Sequence, residues 1–250
     1  MLPMLLRFTY ALIALVVIVA GASAPARAQG LYLPDHTSGV GATIGGSISD
    51  SANAGSAAAG YSHRAFIDGG VAANLYSFAH TESYTITAVG VGPYLTVHAL
   101  RQGPGVPVSL AATASYEHRF YSVSNSSLDI SGWTGFAGAY AYRRFALSPL
   151  WSVIPQATLG VRYVRSTGGA SYVPGTGGDA SPYLQLAGNF GYQDGGGRLW
   201  IANPFLAFGN GEATFGVAVG AAFPLHRPAA PPPPAGGGDA TASPAEPPRP

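Results

Sequence analysis

Between residues 107 and 121 the chain alternates without a break. Val108, Leu110, Ala112, Ala114, Tyr116, His118 and Phe120 fall on one face, and Ser109, Ala111, Thr113, Ser115, Glu117, Arg119 and Tyr121 on the other. Successive side chains of a β-strand point to opposite sides, so this period marks a strand with two chemically different faces. An ordinary strand has about 5–6 residues, whereas a tilted membrane-crossing strand needs about 9–11. The length fits the second kind.

The pattern recurs along the chain. Val40, Ala42, Ile44 and Ile48 oppose Thr43, Ser47 and Ser49; Trp151, Val153, Ala157, Leu159, Val161 and Tyr163 oppose Ser152, Gln156, Thr158 and Arg162. Leu184, Leu186, Phe190 and Tyr192 oppose Gln185, Asn189 and Gln193, and Phe215, Val217, Val219 and Phe223 oppose Gly216, Ala218, Gly220 and Ala222. Ten strands follow, near 39–49, 57–67, 71–78, 84–101, 107–121, 132–145, 151–165, 182–193, 198–208 and 212–225, with eight as the runner-up count. Pro155 and Pro204 interrupt two of them, each forfeiting a ladder hydrogen bond. With the first strand starting on the periplasmic side, the even-numbered connections are short and three of the five odd-numbered ones are longer, as membrane barrels show.

Composition says where such strands can live. Charged residues make up 9% of the chain and apolar residues 47%, and every basic side chain is Arg. An ordinary soluble domain carries about 25% charge. A chain-long disordered state is excluded, because such chains are charged and poor in apolar groups. The 35 Gly show no three-residue period, which excludes collagen. So little charge requires that most of the surface be hidden from water.

The two ends differ from the middle. Arg7, an apolar run from Phe8 to Ala20 and the small residues ending in Ala26-Arg27-Ala28 have the layout of a secretory signal peptide cleaved after Ala28. Its removal leaves ten Arg against eleven acidic residues, and no basic surface for nucleic acid. The absence of Cys rules out a disulfide scaffold or thiolate metal site. Residues 226–250 contain nine of the 21 Pro and no aromatic residue, so they read as a disordered Pro/Ala/Gly-rich tail. The expected organisation is a signal peptide over 1–28, an N-terminal lead over 29–37, a barrel over 38–225 and the tail.

Aromatic residues are expected at the two membrane interfaces. On this register Tyr116, Phe120 and Tyr163 stand at the outer rim, and Tyr142, Trp151 and Phe223 at the inner one. The fold class is thus all-β, a single antiparallel up-and-down transmembrane barrel. Signal peptide, alternating strands and a last strand closing on an aromatic together resemble the small outer-membrane β-barrel proteins of Gram-negative bacteria. The resemblance implies an outer-membrane location, with outer-membrane lipid as partner and the tail in the periplasm. It also implies that the barrel-assembly machinery reads Phe215, Val217, Val219 and Phe223. The Pro/Ala-rich tail also looks like the linker of two-domain outer-membrane proteins that grip peptidoglycan, but peptidoglycan binding is not expected here.

Chemistry in the sequence is sparse. Arg64, Glu117, Arg119, Arg143 and Arg162 are the candidate lumenal charges, with Glu117 and Arg162 expected to pair. Gly135, Ala137, Ala139 and Ala141 are expected to line the lumen beside Gly216, Ala218 and Gly220. Histidines 36, 63, 80, 98 and 118 lack metal-ligand spacing, and no Lys is available for a phosphate-cradling loop. No catalytic, cofactor or metal residue is assigned, and the tail's partner is not legible. The expected role is structural, adhesive or narrow-pore. Two other classes remain open: an outer-membrane enzyme using His80 or His118 with a Ser or acidic neighbour, and a soluble secreted β-sandwich.

Overall fold

The computed structural model describes residues 33–34, 36–78, 85–124, 130–167, 178–195, 197–209 and 211–225. The signal-cleavage residues Ala26 and Ala28, the tail, and His80 lie outside the described residues. Ten long antiparallel strands follow one another: β1 (Gly39–Ser49), β2 (Ala52–His63), β3 (Ile67–Phe78), β4 (Ile86–Leu100), β5 (Ser109–Val123), β6 (Ile130–Tyr142), β8 (Trp151–Thr167), β9 (Asp179–Gln193), β10 (Leu199–Gly209) and β11 (Glu212–Pro224). Between β6 and β8 lies a two-residue strand, β7 (Phe145–Ala146), paired to the start of β8. Each long strand pairs with its neighbour in sequence, and β1 pairs with β11 from Gly39↔Pro224 to Ser49↔Thr214. The sheet is closed as an up-and-down barrel, so no long strand is left with an unpaired edge.

The alternation decides the faces. Ile44, Val71, Val89, Leu95, Phe120, Leu159, Phe215 and Val219 are exposed on the exterior, while Ser47, Asn74, Thr96, Glu117, Thr158, Gln185 and Asn203 are buried in the lumen. The lumen is filled by side chains, including aromatics laid over glycine pairs. Gly60 pairs with Gly70, and a Cβ on Gly70 would come 2.7 Å from the Tyr94 hydroxyl. Gly138 pairs with Gly160, and a Cβ on either would stand 2.7 Å from the Phe136 ring. Glycine is required there because an inward ring occupies the space that a side chain would need.

Strand β6 corrects the register expected from sequence. Ile130, Thr134, Phe136, Tyr140 and Tyr142 face the lumen, and Trp133, Gly135, Ala137, Ala139 and Ala141 face outward. Tyr142 is 4% exposed and belongs to the inner core, not to an interfacial girdle. Both faces of β6 carry apolar residues, so its alternation had no chemical sign. Inward packing sets it: Phe136 covers the two glycines, and Tyr142 finds a hydrogen-bond partner inside.

The loop asymmetry is also revised. At the rim holding both strand termini, hereafter the terminal rim, the connections span 64–66, 101–108, 143–150 and 194–198. At the far rim they span 50–51, 79–85, 124–129, 168–178 and 210–211. Strand β2 starts at Ala52, earlier than the alternation suggested, which shortens the first far-rim turn to two residues. Strands β5 and β6 stop short of the terminal rim's expected turns, which lengthens those. Loop length therefore does not distinguish the rims.

Candidate lumenal site

Three layers of polar side chains occupy the lumen. The middle layer is built on β5, where Glu117 and Arg119 point inward two residues apart. The Arg119 Nε donates to Glu117 Oε1, and Asn74 Nδ2 on β3 donates to Glu117 Oε2. Tyr76 donates its hydroxyl to the same carboxylate at 2.9 Å, and it accepts from Arg119 Nη2 at 3.0 Å. The Arg119 guanidinium lies 4.3 Å from the centre of the Tyr76 ring. A Cβ at Gly90 would come 2.5 Å from the Glu117 carboxyl carbon, so the glycine on β4 makes room for the carboxylate. A buried ion pair is worth holding only when its remaining groups find partners, and here both oxygens of the Glu117 carboxylate accept hydrogen bonds. What space remains in this layer is a cavity of about 50 Å³. Asn74 Oδ1 and Thr134 Oγ1 lack a protein partner and line this cavity, which has room for bridging water.

Arg162 stands apart from Glu117. Its guanidinium stacks over the Tyr183 ring at 4.6 Å, and the Tyr183 hydroxyl donates to Gln185 at 2.9 Å. The pairing expected between Glu117 and Arg162 is replaced by the shorter-range Glu117–Arg119 pair. Arg162, Arg119 and Tyr183 form the floor of a second cavity of about 560 Å³ toward the far rim, whose mouth carries Asp179 and Glu212.

The third layer closes the terminal rim. Leu33, ahead of β1, is fully buried among Ala65, Tyr142, Ile154, Leu199 and Ala222. The carbonyls of Leu33 and Ala65 accept from Arg101 Nη2 and Nη1, both at 3.1 Å. Below this plug, His98 Nε2 lies 2.8 Å from Asp68 Oδ2 and its Nδ1 2.9 Å from the Tyr142 hydroxyl. Asp68 and His98 are fully enclosed.

The remaining candidates scatter. Arg64 has a φ of 52° in the turn after β2 and is exposed, so it is not lumenal. Arg143 follows the last residue of β6, faces outward and lies 5.0 Å from the Phe145 ring. Tyr116 and Tyr163 flank Trp133 on the exterior, at 6.0 and 4.8 Å, with Phe120 exposed nearby. Trp151 lies against Tyr192 near the terminal rim, the ring centres 4.8 Å apart and the planes tilted by 42°. Phe215, Val217, Val219 and Phe223 form the outward face of β11. His118 points outward, its ring 4.7 Å from that of Phe120 and its Nδ1 3.5 Å from the Tyr116 hydroxyl. Sequence reasoning missed Asp68, His98, Tyr142 and Arg101 as one cluster. The signal available was that His98 and Asp68 interrupt otherwise uncharged strands on the polar side. Among the described residues no group of His, Asp and Glu could hold a metal ion.

No family model matches this chain, and no curated protein sequence does. Among solved structures it is similar to the translocator domain of the autotransporter NalP from Neisseria meningitidis, at 11% identity and a TM-score of 0.49, over 77% of this chain and 90% of that one. The beta domain of the Bordetella autotransporter BrkA matches at 12% identity and a TM-score of 0.47, over 75% and 99%. The outer membrane protease OmpT from Escherichia coli matches at 10% identity and a TM-score of 0.36, over 76% and 94%.

Proposed function

We propose that this chain is an integral outer-membrane barrel with a structural or adhesive role and no open diffusion path. The observation that carries the reading is the exterior. Among the described outward positions of the ten long strands, Arg165, two residues from the end of β8, is the single Asp, Glu, Lys or Arg. Water would not sustain such a surface, because contiguous apolar patches on soluble monomers rarely exceed a few hundred Å². Hydrocarbon would, and a closed barrel is one of the two structures whose backbone hydrogen bonds allow spanning. A soluble β-sandwich would instead bury the Val108, Leu110, Ala112 and Ala114 face, which lies outside here.

The lumen supports the narrow reading. The Glu117–Arg119–Tyr76 layer fills the waist, and Leu33 stoppers the terminal rim. The Asp68–His98–Tyr142 chain is enclosed beneath that stopper, and a holding role for the plug fits it better than catalysis. On this reading outer-membrane lipid covers the exterior, and β11 is the segment available to the barrel-assembly machinery. Fractionation followed by a detergent gel with and without heating tests it. The expected result is an outer-membrane protein whose mobility changes on heating, with no large steady conductance steps in planar bilayers. Recovery as a soluble periplasmic protein would overturn the membrane reading, and large steps would overturn the closed waist.

A further inference from the structure

The exterior is not uniform. Arg143 donates its backbone N–H to the Pro155 carbonyl at 3.3 Å. Pro155 pairs with Gly188 on β9, and Pro204 on β10 pairs with Val217 on β11. The β9–β10 register passes from Ala202↔Phe190 directly to Phe205↔Ala187, leaving Pro204 beside Gly188 without a ladder pair. One outward row therefore runs Arg143, Pro155, Gly188, Pro204, Val217. It has low relief, because its central members are two prolines and a glycine. Leu186, Leu206, Phe215 and Val108 stand around it, and the trough they bound has a volume of about 580 Å³.

The trough has a direction. Arg143 sits at the terminal rim, just past the end of β6, whereas Val217 lies in the middle of β11. From β6 to β11 is four strand spacings, about 19 Å. The row thus climbs from the interface into the apolar band. At its lower end Arg143 is exposed, and among the described residues its guanidinium has no carboxylate within ion-pair reach. A planar guanidinium matches phosphate oxygens in a bidentate way, and the interface is where a lipid phosphate lies.

We propose that this trough holds one glycerophospholipid of the leaflet at the terminal rim, its phosphate on Arg143 and an acyl chain along Pro155, Gly188 and Pro204. The proposal rests on the membrane reading above. A lipid lying against Val71 or Ile44 meets a convex surface and exchanges freely. One in the trough is bounded on both sides and tethered by charge.

Gly188 provides the test. A Cβ there would meet only the Phe190 ring, at 3.8 Å, so Gly188→Leu fills the trough without disturbing the wall. Protein extracted from outer membranes in mild detergent is examined by native mass spectrometry, before and after incubation with phosphatidylglycerol vesicles. The wild type is expected to keep one phospholipid mass. Gly188→Leu and Arg143→Ala should each lower its retention about tenfold, and Ala157→Phe provides a second way of filling the trough. Val71→Leu, on another part of the exterior, should leave it unchanged. Heat-dependent gel mobility reports that each variant is folded. A wild type that keeps no lipid in either condition overturns the proposal, as does undiminished retention by folded Gly188→Leu and Ala157→Phe variants. A lipid A mass in place of the phospholipid overturns the leaflet assignment. Failure of the membrane reading would show separately, as a protein recovered soluble.

Discussion

At the scale of single residues, the enclosed carboxylate of the waist is held by donors on both of its oxygens. Glu117 receives donors from Arg119, Tyr76 and Asn74, so removing it leaves a guanidinium enclosed without its counter-charge. Glu117→Ala should destabilise the barrel by about 3 kcal/mol, the scale for breaking a buried pair, measured by urea unfolding in detergent. Glu117→Gln with Arg119→Gln should recover part of that loss, because neither charge then remains. The inward placement of Glu117, Arg119 and Arg162 was legible in the sequence from parity alone. Which of them pair was not. Parity gives a face but no height, and the two charges on one strand proved closer than those two strands apart. Arg64 shows a second limit: alternation ends where the strand does, and one residue past His63 the backbone has turned.

Single strands differ in how much their sequence reveals. Strands β1, β5, β8, β9 and β11 carry most of their polar residues on one face, and their orientation follows directly. In β6 aromatic and small residues mix on both sides, and the reading that small residues line the lumen inverts it. Aromatics fill a narrow lumen better than alanine does, and lipid accepts alanine without penalty. The register makes a direct prediction. Ala139 pairs with Ala112 and Leu159, both on the exterior, so Ala139→Arg places a charge in hydrocarbon. It should cost about 2–4 kcal/mol if Ala139 lies near the bilayer midplane, read as a lower urea midpoint for the folded barrel.

Across the whole molecule the strand count and closure were legible, because ten alternating segments with tight connections leave few other topologies. The lumen's contents were not, since the cluster of Asp68, His98, Tyr142 and Arg101 draws on three separate segments and on Leu33 ahead of the first strand. That plug and the waist act in series. Deleting residues 29–37 should open the terminal rim, where a cavity of about 390 Å³ already lies beside Leu33 and Arg101. It should still produce no large steady conductance in planar bilayers, because the Glu117–Arg119 layer is untouched. Steady large steps from that deletion alone would place the barrier in the plug.

The pairing of β1 with β11 also bears on how the barrel can form. Every other seam joins strands that are adjacent or nearly so in the chain, and such contacts can form early. The closing seam joins its two ends, so its loop-closure entropy is the largest of all. Until Thr214–Pro224 reaches Gly39–Ser49, the growing sheet keeps two open edges that can capture another chain. Closure therefore waits on the last strand, and a chain truncated before it should be an aggregation hazard, not a smaller barrel.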